Sequence, residues 1–201
     1  KHMGASGVLV LDNQGSIESG VSFGATTGIE GIASSGAELV IRNSGTVGTA
    51  AENMQSGIRA QSQAASAKTS VANSGTIYSF SEGISLQSSG AFEVTNSGTV
   101  STQYGALALH GSQTQGGTVL NSGSLLSTDS AVQQFGNGVV NLSNSGVIEA
   151  RLAVSVMAGS TLHSVNTVTG RIHGVVRTYD AGMQTLTNAG LWTNTGDSTL
   201  N

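Results

Sequence analysis

The stretch NSGTV at residues 43–47 decides the fold, because the chain writes it repeatedly. It returns as NSGTI at 73–77, NSGTV at 96–100, NSGSL at 121–125 and NSGVI at 144–148, with looser relatives NQGSI at 13–17 and NAGLW at 188–192. Taken from the Asn, the register marks are Asn13, Asn43, Asn73, Asn96, Asn121, Asn144 and Asn188, with gaps of 30, 30, 23, 25, 23 and 44 residues. The last gap holds two periods of 22, with a degenerate copy, NTVTGRI, at 166–172 between them. A period of about 23 residues marks a stacked repeat architecture.

Each unit carries three short apolar segments. One stands two residues before the Asn (Leu11, Ile41, Val71, Val94, Val119, Leu142, Leu186), and a second four residues after it (Ile17, Val47, Ile77, Val100, Leu125, Ile148, Trp192). A third lies mid-unit, as in GIRA at 57–60 and GALAL at 105–109. All alternate apolar with polar, the period of half-buried strands, and no stretch has helical spacing. Three strands per turn, wound in one direction, describe an all-β, right-handed parallel β-helix of about eight rungs. With parallel strands about 4.8 Å apart, eight rungs make a rod roughly 40 Å long. A leucine-rich repeat shares the period but needs a Leu-x-x-Leu-x-Leu-x-x-Asn spacing that is absent here.

The two-residue step from the apolar position turns each Asn inward, where stacked amides can donate to one neighbouring rung and accept from the other. Gly is assigned the corner because it accepts a positive φ. The residue after Gly forms an outward column: Ser16, Thr46, Thr76, Thr99, Ser124 and Val147. On this reading the motif is architectural.

Composition agrees with a stacked array. Charged residues are 9% of the 201, against about 25% in ordinary globular domains, and Gly accounts for 29. Seven Lys and Arg with a net charge of −4 cannot neutralise many phosphates, which argues against nucleic-acid binding. No run of 18 apolar residues occurs, so no helix spans a membrane. Cys and Pro are both absent, which excludes disulfides and thiolate metal sites. Residues 1–3, KHM, read as an expression-vector remnant.

The NSGT(I/V) units at irregular 20–30-residue spacing, the Gly/Ser/Thr/Asn-rich composition and the lack of Cys resemble the passenger domains of bacterial autotransporters, the type V secreted proteins. The resemblance covers residues 7–201 and implies a right-handed β-helix exported through the outer membrane, then displayed at the cell surface or released. It also implies that residues 4–201 are one β-helix fragment of a longer passenger. A signal peptide and a C-terminal translocator barrel, the route to the membrane, are both missing from this stretch.

Chemistry is sparse. GVSFG at 20–24 matches a nucleophile elbow but has no helix to follow it, and GDSTL at 196–200 is weaker still. Asp12, Asp129, Asp180 and Asp197 do not fall in one column on adjacent rungs, as a polysaccharide-cleaving site would require. No cofactor is expected, and two Arg beside the densest cluster disfavour a metal. That cluster is Glu149 and His173, one rung apart in an outward column, with Arg151 and Arg171 beside them; a cross-rung ion pair is the expected meaning. The long segments 18–28 and 48–70, including the insert QSQAASAKTS at 61–70, thicken one part of the surface. They offer Phe23, Arg59 and Lys68 for binding, since recognition residues favour loops on a rigid scaffold.

The function expected is adhesion, to a host-cell surface protein or glycan or by self-association. Three alternatives stand beside it: a secreted receptor ligand or toxin using the 18–28 and 48–70 loops, a stalk for a functional part elsewhere, and a glycan-degrading enzyme.

Overall fold

In the computed structural model the described residues are 2–4, 7–19, 26–34, 36–51, 54–110, 116–157, 159–179, 182–194, 196 and 198. They form a parallel β-solenoid without helix. One face is an eight-stranded sheet of Val8–Asn13, Glu38–Asn43, Thr69–Asn73, Phe92–Asn96, Gly117–Asn121, Gly138–Asn144, Ser160–Asn166 and Gln184–Asn188, every neighbour parallel. The other two strands of each turn belong to a second sheet. Thr76–Ser88, Val147–Val156 and Arg171–Thr178 run through the corner between them without a break, so two faces become continuous.

About six turns are enclosed by neighbours on both sides, fewer than the eight expected. The turns entered at Val8 and Gln184 are edges, where Asn13 is only half-buried and Asn188 is exposed. His2–Gly4 pairs in parallel with Gly31–Ala33, and Ser198 Oγ accepts from the Val176 N–H at 3.1 Å.

The core is made of aliphatic columns, one residue per turn. Ile58, Ile84, Leu107, Val132, Val154 and Val176 stack in register, as do Val47, Ile77, Val100, Leu125, Ile148 and Ile172. All are buried. One turn alone could not shield these side chains, so folding is a property of the stack. Gly28, Gly57 and Gly83 open the third strand because Val47, Ile77 and Val100 lean over them. A Cβ there would lie 2.1–2.3 Å from those branched side chains.

The Asn positions join in a continuous ladder. From Asn13 through Asn43, Asn73, Asn96, Asn121, Asn144 and Asn166 to Asn188, each Nδ2 donates to the next Oδ1 at 2.7–2.8 Å. The same Nδ2 also bonds the carbonyl of the corner Gly in its own turn, for example Asn96 to Gly98 at 3.3 Å. Asn43, Asn73, Asn96, Asn121, Asn144 and Asn166 are buried, so these six rungs of the ladder satisfy groups that water does not reach. Asn166 belongs to the ladder although its corner Gly, Gly170, lies four residues on rather than two.

The reason for the corner glycine differs from the one expected. Gly45, Gly75, Gly98, Gly123 and Gly146 are not among the positive-φ glycines. Each sits directly over the glycine carbonyl of the turn before. A Cβ on Gly45, Gly75, Gly98, Gly123 or Gly146 would stand only 1.9–2.1 Å from that oxygen. Close vertical approach between turns, not handedness, selects the residue.

Candidate functional site

Among the described residues the inward positions are mostly filled by the aliphatic core and the Asn ladder, which leaves the outward positions for recognition. On the third strand of each turn these form two rows. One residue beyond the inward aliphatic stand Arg59, Ser85, Ala108, Gln133, Ser155 and Arg177, of which Ser85, Ala108 and Ser155 are buried. Three beyond it stand Gln61, Gln87 and His110 in paired register, continued by Phe135 and Tyr179, whose N–H groups bond the preceding turn at Leu109 and Val156.

A cavity of about 440 Å³ opens across the first three of these turns. Its chemistry is set by Arg59, Gln61, Glu82, Ser85, Gln87 and His110. Arg59 reaches Glu30 of the preceding turn at 3.7 Å. With the Gln61 amide oxygen turned toward the guanidinium, it accepts from Nε at 3.1 Å and Nη2 at 2.9 Å. His110 Nε2–H donates to Glu82 Oε1 at 2.8 Å, and the His110 ring lies parallel to Phe135 with centroids 4.9 Å apart.

Burial pushes the Glu82 carboxyl up, but the His110 and Ser85 hydrogen bonds and the nearby His110 and Arg59 charges outweigh it and hold it below the usual value. A depressed carboxylate stabilises the fold above its unfolded pKa and loses that contribution as pH falls through the folded value. His110→Ala is therefore expected to move the Glu82 titration upward, read by carbon-detected NMR. An unmoved midpoint would show that the bond does not govern this carboxylate.

The residues expected for binding are dispersed. Arg59 lies in the groove. Lys68 is on another face, where it donates to Glu93 at 2.8 Å, and that bond raises its pKa. Phe23 lies outside the described residues, as do Ser22 of GVSFG and most of GDSTL. The insert at 61–70 is shorter than it reads: Gln61 and Ser62 finish Met54–Ser62, Thr69 and Ser70 begin the next strand, and residues 63–68 turn the corner between them.

Glu149 and His173 pair in register, yet no ion pair joins them. His173 Nδ1 instead meets Thr193 Oγ1 at 2.7 Å, toward the following turn. Arg151 reaches back to Asp129, with Nε 3.2 Å from Oδ1, and Arg171 contributes its backbone carbonyl to Asn144. The cluster is thus several local cross-turn contacts rather than one site. Among the described residues no group of three or more His, Asp or Glu side chains is placed to hold a metal.

Sequence reasoning missed Glu82, Gln87 and His110. The signal was present: Gln61, Gln87, His110 and Phe135 each lie three residues after Ile58, Ile84, Leu107 and Val132. Comparison with known proteins finds no matching family model, no matching curated protein and no matching solved structure.

Proposed function

We propose that this chain is the adhesive part of a surface-displayed or secreted bacterial passenger of the autotransporter class. The observation that carries the proposal is the pairing of a regular stack with an uncharged row of outward hydroxyls and a polar groove. The row Ser16, Thr46, Thr76, Thr99 and Ser124 runs in register over five turns, offering hydroxyls at regular spacing. Such a surface suits many modest hydrogen bonds over an extended contact, and low charge reduces repulsion from a crowded cell exterior. A chain without Cys needs no disulfide step after export.

Beads coated with the chain are expected to attach to cultured epithelial cells, and soluble chain should compete that attachment away. Attachment no greater than that of albumin-coated beads would overturn the adhesive reading in favour of a passive stalk.

A further inference from the structure

We infer that the groove between Arg59 and His110, with the Phe135 ring at its end, binds a neutral, hydroxyl-rich oligosaccharide. This rests on the adhesive reading and assigns its ligand class. The groove's volume falls within the roughly 300–1,000 Å³ of small-ligand sites, but its lining is polar where most such sites are apolar.

Its groups are planar and already held. Glu30 and Gln61 fix the Arg59 guanidinium, and His110 fixes the Glu82 carboxylate. Binding therefore costs little ordering of side chains. The Arg59 fork, the exposed Gln87 amide and the Glu82 carboxylate offer donors and acceptors side by side. Neighbouring hydroxyls of a sugar ring, each both donor and acceptor, match that mixture.

The apolar element is equally specific. Phe135 is 40% exposed and stacks within 5° of parallel on His110, making a flat ring surface against which the C–H face of a sugar can lie. Successive turns stand about 4.8 Å apart, so a saccharide chain lying along the axis meets one row residue per sugar ring.

Other ligands fit less well. The positive charge of Arg59 is matched by Glu30 and Glu82, which disfavours nucleic acid and sulfated or sialylated glycans. Apolar side-chain pockets that would seat a peptide are lacking in the lining. Cleavage also fits poorly. A glycoside-hydrolysing pair needs two carboxyl groups flanking the bond, and among the described residues Glu82 is the one carboxylate in the groove lining.

The test is an array of neutral, sialylated and sulfated oligosaccharides probed with the whole chain, followed by calorimetry on the strongest neutral binder. Phe135→Ala and Gln87→Ala should each weaken binding at least tenfold with unchanged circular dichroism, while Thr187→Ala, on another face, leaves it intact. The inference is overturned by no neutral glycan binding, by preference for anionic glycans, by cleavage of the bound glycan, or by full affinity in both groove variants. Running bead attachment in parallel separates the two readings. Attachment without glycan binding overturns the glycan assignment alone, and glycan binding without attachment overturns adhesion alone.

Discussion

Gly98→Ala is expected to destabilise the solenoid by about 4 kcal/mol or more, the size reserved for changes that a packed structure cannot absorb. The new methyl would lie 2.0 Å from the Gly75 carbonyl oxygen and 2.7 Å from the Ser74 carbonyl carbon. Both are backbone, so no side chain can swing aside. Relief requires the two turns to separate at this corner, where Ser97 and Gly98 N–H groups bond the Asn73 carbonyl at 2.8 and 3.2 Å and Thr99 N–H bonds Gly75 at 2.9 Å. The hydrogen bond from Asn73 Nδ2 to Asn96 Oδ1 would stretch with them. Gly15→Ala is the internal control: the same motif position in the edge turn has nothing within 4 Å of an added Cβ. Its effect should stay within about 0.5 kcal/mol. Urea denaturation of both variants measures the difference. Equal effects would mean that the corner glycine is chosen for something other than stacking distance.

The second large effect concerns the ladder. Asn121→Ala removes a group that accepts from Asn96 and donates to Asn144 Oδ1, the Gly123 carbonyl and the Val147 carbonyl. The buried Asn96 and Asn144 amides and the half-buried Gly123 and Val147 carbonyls lose these bonds, at roughly 1–3 kcal/mol for each group left unsatisfied. A total of about 3–5 kcal/mol is expected, since water entering the small void can recover part of the loss. Asn188→Ala, where the side chain is exposed in the edge turn, should cost only about 1 kcal/mol. The same substitution thus reads out position in the stack, and thermal denaturation of the two variants checks it.

The sequence made the repeat length, the strand pattern and the inward Asn legible because each depends on spacing within one turn. Features that depend on the distance between turns were hidden. The role of Gly98 is one, since nothing within a single NSGTV shows a carbonyl lying beneath it. Asn166 is another. Two extra residues, Val168 and Thr169, push its Gly away and break the motif, while the backbone bridges the gap and the amide still reaches its neighbours.

The functional surface was harder to read for a related reason. Attention to breaks in the period led toward the long segments before residue 73 and toward Glu149 and His173. Register places those two side by side, but it does not set their rotamers, and His173 turns to Thr193 instead. The groove joins one such segment, which supplies Arg59 and Gln61, to the regular turns that follow, at positions three beyond Ile58, Ile84 and Leu107. Only when the third strands are aligned turn upon turn do Arg59, Gln87 and His110 become neighbours.

That the Asn-Ser-Gly repeat builds the stack, rather than presenting a binding motif to a partner, is tested most directly by side-chain amide exchange. In deuterated buffer, the Nδ2 protons of Asn43, Asn73, Asn96, Asn121, Asn144 and Asn166 should be strongly protected, with protection falling at Asn13 and Asn188. Exchange of all eight at the rate of free surface amides would contradict the account.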